Sequence, residues 1–158
     1  MSDGAGAAAH TRTAIRRLQK ELGELNSDAA LPGFLVSQDS LDVWFIEFAG
    51  AENTLFANEH YTLRFVFPQD YPIEAPEVVF MQPTPLHPHV YTNGHICLSI
   101  LYDSWSPALT VRSICLSILS MLSSAEEKKL PPDNDRYVRT CKGRSPKRTR
   151  WDFHDDKV

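Results

Sequence analysis

In the stretch LHPHVYTNGHICLSIL, Leu86 to Leu101, three histidines and a cysteine fall close together. Neutral imidazole and thiolate bind zinc at about 2.0 to 2.3 Å, so His87, His89, His95 and Cys97 are donors of the right kind for a metal. Their arrangement argues less strongly. His87 and His89 flank Pro88, the Asn93-Gly94 turn signal puts His95 and Cys97 on an outgoing arm, and there is no CxxC or HxxxH pair. The competing chemistry is nucleophilic, because a thiol in a long polar loop is accessible to a substrate. A cysteine protease would also need an activating histidine and an orienting carboxylate or amide, and the local signatures of those families are absent. From these residues alone a metal site, a nucleophilic thiol and a structural role for each histidine all stay open. Cys115 lies on an apolar helical stripe and reads as core, whereas Cys141, near the tail, is undecided.

Whatever this loop does, flanking elements must hold it. From Thr11 to Leu25 the residues Ile15, Leu18, Leu22 and Leu25 recur at helical spacing, and Arg12, Arg16 and Lys20 step by four along another face. Taken alone, such a basic stripe reads as a solvated face. Four strand-like segments follow: PGFLVSQ, LDVWFIEFAG, YTLRFVF and EVVFM. Their short connections imply an antiparallel meander, since parallel neighbours need longer crossovers. Pro68, Pro72 and Pro76 stiffen the link before the fourth strand. After the long stretch Gln82 to Pro107, Val111, Ile114, Cys115, Ile118, Leu119 and Leu122 predict the strongest helix of the chain, with Thr110 as its N-cap. Asp133 or Asn134 is positioned to cap one more short helix through Tyr137 to Cys141. Strands grouped together and flanked by helices indicate an α+β fold with helices on one sheet face.

Composition narrows the function classes. With 158 residues and 42% hydrophobic content the chain suits one domain with a real core. A net charge of −4 argues against a nucleic-acid binder. That charge is unevenly spread: KGRSPKRTR, Lys142 to Arg150, holds five basic side chains, leaving −9 on the remainder. No apolar run approaches the ~20 residues of a membrane-spanning helix. An odd number of cysteines and a polar start without a signal-peptide core imply an intracellular, reducing location. Residues 1–10 are expected to be disordered, 11–141 to form the folded domain, and 142–158 to be a basic, mostly flexible tail. A nuclear-targeting signal is a second reading of the basic run.

The order of motifs resembles that of the ubiquitin-conjugating enzymes, which carry ubiquitin as a thioester on one cysteine. The likeness runs from about Thr13 to about Cys141 and rests on the basic-faced first helix, the sheet, Tyr71-Pro72, His87-Pro88 before NGHICLSIL, and Trp105-Ser106-Pro107-Ala108 before the main helix. The family's usual His-Pro-Asn is here His87-Pro88-His89, which is similar to the W type, a subgroup associated with attaching single ubiquitins to protein N-termini. The resemblance implies a ubiquitin-conjugating (UBC) fold with a shortened C-terminal helical region. It makes Cys97 the thioester nucleophile, and His89 a substitute for the family asparagine that supports the loop and the oxyanion. Ser99 and Asn134 stand where lysine-modifying members commonly carry acids, although Asp133 and Asp135 are close enough to replace them. Implied partners are ubiquitin, the ubiquitin-activating enzyme, RING/U-box ubiquitin ligases and protein substrates with flexible N-termini, with neither nucleic acid nor membrane. Arg12, Arg16, Lys20, Ile73, Pro107 and Ala108 would form the partner-binding surface. No cofactor and no metal are expected, ATP being used by the activating enzyme, and a cytoplasmic and nuclear location is implied. The alternatives are lysine-directed conjugation and a non-catalytic binding module of the same fold.

Overall fold

The computed structural model describes residues 9–27 and 31–155. Residues 1–8 of the expected disordered start lie outside these; His10 lies within them and directs its ring Nε2 to the Phe67 carbonyl at 3.1 Å. Helix α1 (Arg12–Leu25) opens with Thr11 Oγ1 accepting from the Ala14 N–H at 3.1 Å. Strands β1 (Phe34–Ser40), β2 (Val43–Ala49), β3 (His60–Val66) and β4 (Glu77–Phe80) pair consecutively and antiparallel in the order β1-β2-β3-β4. The alternation of β3 is real: Tyr61, Leu63 and Phe65 are buried and Thr62, Arg64 and Val66 half-buried. Helix α2 (Val111–Ser123) begins with a reciprocal cap, Thr110 Oγ1 accepting from the Ser113 N–H at 3.1 Å and Ser113 Oγ from the Thr110 N–H at 3.3 Å. Helix α3 (Asn134–Cys141) follows, and Pro146–Arg148 forms one further 3-10 turn.

The inward faces of the sheet, α1 and α2 share one buried cluster that includes Trp44, Ile46, Leu63 and Phe65 with Leu18, Ile114, Cys115 and Ile118. The buried face of α1 is Ala14, Leu18, Glu21 and Leu25, a small rotation from the stripe expected through Ile15 and Leu22. The rotation buries the Glu21 carboxylate, 3% exposed, which then accepts from Arg17 Nε at 3.0 Å, from the Val111 N–H at 2.7 Å and from the Tyr71 hydroxyl. A carboxylate at the first N–H of α2 suits the positive end of that helix. Glu21 thereby joins α1, the proline-rich link and α2, the last of which backs the loop of His87.

Candidate active site around Cys97

Main-chain geometry builds the loop. The Asn93-Gly94 turn is closed by the Gly94 N–H donating to Tyr91 O at 2.9 Å and the Tyr91 N–H to His95 O at 3.0 Å. Gly94 has φ +91°, and its carbonyl accepts from the Phe80 N–H at 2.9 Å at the end of β4. A Cβ there would lie 2.1 Å from Phe80 O, so only glycine allows this approach. The outgoing arm returns to the incoming one, and the Cys97 N–H donates to His89 O at 2.9 Å. The His89 N–H in turn donates to His87 Nδ1 at 2.9 Å, and His87 Nε2 to the carbonyl of Met121 on α2 at 3.0 Å. Cys97 is thus tied to the core helix through three consecutive hydrogen bonds.

These bonds settle what the histidines do. His87 is fully buried and uses both ring nitrogens, one as acceptor and one as donor, which is the neutral form. Burial, with a smaller effect of nearby His89, lowers its pKa to about 4. His95 points elsewhere: its Nδ1 pairs with the Tyr137 hydroxyl at 2.7 Å and lies 3.6 Å from Cys141 Sγ. The four possible donors therefore do not converge, and no group of three or more metal-ligating side chains occurs among the described residues. Cys141, undecided from sequence, is buried beside His95, and Cys115 is core.

Cys97 is the partly exposed cysteine of the three. It shares a cavity of about 470 Å³ with His89, Tyr91, Asp133, Tyr137 and Trp151. His89 is 7% exposed and meets Cys97 through its backbone carbonyl, so it positions the sulfur through the main chain. The Asn134 amide is engaged by Thr92. Its Oδ1 accepts from the Thr92 N–H at 3.0 Å and its Nδ2 donates to Thr92 Oγ1 at 3.2 Å, fastening α3 to the turn. Asp133 holds the cap position of α3, yet its carboxylate makes no cap hydrogen bond and instead accepts from the Tyr91 hydroxyl at 2.9 Å.

The surroundings of the thiol are less free of acid than Ser99 and Asn134 imply. The Ser99 hydroxyl donates to the Asp155 carboxylate, which also accepts from the Ser99 N–H at 3.3 Å. Burial, then the negative charges of Asp155, Asp152 and Asp133, push the Cys97 thiol up to about 12. Two of those three acids come from the segment after Cys141. Instead of trailing away, that segment runs back to the site, anchored by Ser145 Oγ donating to Glu77 at 2.7 Å and by Lys147 Nζ donating to Glu74 at 2.6 Å and to Ala75 O at 2.7 Å. A basic run without apolar periodicity gave no sign of this. Its partners are isolated acids far away in the chain.

The residues of the expected partner surface face solvent. Arg12, Arg16 and Lys20 are exposed on α1, Ile73 is 69% exposed, and Pro107 and Ala108 are exposed. Trp105 Nε1 donates to Pro72 O at 2.9 Å and joins the two loops. Arg17, which the stripe did not single out, donates to Leu109 O at 2.7 Å and fixes the second loop to α1.

Comparison with known proteins places this geometry. The family described as "Ubiquitin-conjugating enzyme" matches residues 17–155, a span that includes the returning segment. The chain is 60% identical over 149 residues to the probable ubiquitin-conjugating enzyme E2 16 of Arabidopsis thaliana, covering 94% of this chain and 92% of that one. It is 56% identical over 150 residues to the ubiquitin-conjugating enzyme E2 W of Caenorhabditis elegans, covering 92% and 97%. The crystal structure of the ubiquitin-conjugating enzyme E2 UbcA1 from Agrocybe aegerita superposes with a TM-score of 0.80 at 42% identity, covering 85% of this chain and 98% of that one. The α+β architecture is accordingly the fold of these enzymes, and the chain belongs to the ubiquitin-conjugating enzyme family, most like its W type.

Proposed function

We propose that Cys97 accepts ubiquitin as a thioester from the activating enzyme and passes it, with a RING/U-box ligase, to the N-terminal α-amine of a substrate. One observation carries the first half: of three cysteines, only Cys97 faces a cavity from a rigid loop, while Cys115 and Cys141 are buried. The thiolate attacks the activated carbonyl, the activating enzyme's sulfur leaves, and the substrate amine later displaces Cys97 and loses its proton. No cofactor is needed in these steps, ATP being spent upstream.

Amine choice follows from the nucleophiles. A lysine of pKa near 10.4 is free amine in about 0.04% of molecules at pH 7, whereas an α-amine near 7.8 is free in roughly 14%. An α-amine therefore needs no strong base. Asp133 and Asp135, the acids placed to replace the missing ones, already accept hydrogen bonds from the Tyr91 hydroxyl and the Asn134 amide, and Asp155 accepts from Ser99. The exposed basic stripe and the joined loops of Ile73 and Pro107-Ala108 supply the charged rim and apolar centre that a ligase and the activating enzyme would grip.

The test is loading with activating enzyme, ATP and ubiquitin, followed by discharge to free lysine or to a short peptide with an open N-terminus. Cys97→Ala should abolish the reductant-labile adduct, and the peptide should discharge the loaded enzyme faster. Faster discharge to lysine would refute the α-amine assignment, and an adduct surviving in Cys97→Ala would refute the carrier.

A further inference from the structure

The segment that returns to the site lies across the sulfur itself. Trp151 stacks on Tyr102, ring centroids 5.1 Å apart at 27°, with Tyr137 at 5.5 Å and Tyr91 at 6.0 Å. Its indole N–H donates to Pro146 O at 2.9 Å. Phe153 stacks on Tyr102 as well, at 6.0 Å and 19°. Between these rings the Asp152 carbonyl oxygen lies 3.7 Å from Cys97 Sγ, and beyond them Asp155 takes both donors of Ser99.

Such a sulfur must come within about 3 to 3.5 Å of an acyl carbon before it can react. A carbonyl oxygen of the chain's own backbone occupies that approach. The acyl group and Asp152 cannot hold the same position, so one must yield. The contacts differ along the segment in how readily they yield. Its root, Ser145 to Lys147, is held by part-buried hydrogen bonds to Glu77 and Ala75. Its end is held by half-buried aromatic rings and by an exposed carboxylate on half-buried Ser99. Aromatic contacts of this kind contribute about 0.5 to 1.5 kcal/mol each beyond area burial, little enough to be broken on binding.

We propose that Trp151–Asp155 is a strap that covers Cys97 in the uncharged enzyme and swings off, turning beyond the Pro146–Arg148 turn, before the thiol takes up its acyl group. The inference rests on Cys97 as the carrier and adds a closed resting state to it. While the strap is seated, its carboxylates also help keep the thiol protonated.

The test is alkylation of the native protein by iodoacetamide at fixed pH, with the modified cysteines mapped by mass. The parent chain is compared with Trp151→Ala, Asp155→Ala and a chain ended after Arg150. Each variant should be alkylated at Cys97 faster than the parent, by about tenfold for Trp151→Ala, which corresponds to about 1.4 kcal/mol. Cys115, enclosed in the core, should stay unmodified and so report an intact fold. Were the truncated chain to expose Cys115, the two point variants would decide. Equal or slower alkylation of Cys97 in variants with Cys115 protected overturns the strap. Alkylation needs no ubiquitin, so a parent that never loads ubiquitin would sink the carrier assignment alone, while the alkylation ratio still judges the strap.

Discussion

The two segments that meet at Cys97 are held by different kinds of contact. The loop from His87 to Cys97 is fixed by main-chain hydrogen bonds, by a glycine that admits no side chain and by a buried neutral histidine. The returning segment from Trp151 to Asp155 is held mainly by side chains, ring on ring and carboxylate on hydroxyl. Backbone contacts deep in a fold form and break with the fold as a whole. Half-exposed side-chain contacts open locally, well below the free energy of global unfolding. The proposed nucleophile therefore sits on the rigid segment, and the proposed strap is the releasable one.

Substitutions can break this contrast, beginning where the loop is most constrained. Gly94→Val puts a β-branched side chain at φ +91° and a Cβ 2.1 Å from Phe80 O, so the turn must leave β4. A loss of about 3 kcal/mol or more is expected in denaturant unfolding. A loss below about 1 kcal/mol would mean that the turn is not pinned.

Acid should reveal His87 next. Its folded pKa of about 4 lies below its ordinary 6.5, so the unfolded chain takes up the proton first. The stability contributed by the neutral ring is complete above pH 6.5 and is lost as pH falls toward 4, by on the order of 3 kcal/mol. Unfolding midpoints of the parent across that window, set against those of His87→Gln, should differ in slope; parallel curves would count against a buried neutral ring.

Asn134→Ala should cost about 1 to 2 kcal/mol, because the Thr92 N–H loses its acceptor and α3 its tie to the loop. Cys97 should still become charged in that variant, since the Asn134 amide is engaged by Thr92. A complete loss of charging with the fold intact would give Asn134 a chemical role. On the other side of the comparison, Trp151→Ala should lower stability by about 1 to 1.5 kcal/mol in the same unfolding measurement, the loss that a tenfold rise in exposure of Cys97 implies. A loss as large as that of Gly94→Val would make the segment part of the core.

Much of this could be read without coordinates. The apolar periods of α1 and α2, the alternation of β3, the cap Thr110 and the Asn93-Gly94 turn are local properties, each set by residues within a few positions of one another. The order of motifs around Cys97 carried the family for the same reason, since a loop shaped by its own turns leaves its pattern in one continuous stretch.

Contacts between distant residues left no such pattern. Nothing in the spacing of Glu21 foretells a carboxylate buried between Arg17, Tyr71 and Val111, because its partners are up to ninety positions away. Ser99 and Asn134 both stand where relatives carry acids, yet packing sends Asn134 to Thr92 and gives Ser99 an acid from the far end of the chain. The sequence by itself determined the elements, the caps, the turn and the candidate nucleophile, because local sterics and periodicity act over a few residues. Only the tertiary structure decided which groups surround that sulfur and what lies across it, because burial and charge depend on proximity in space rather than along the chain.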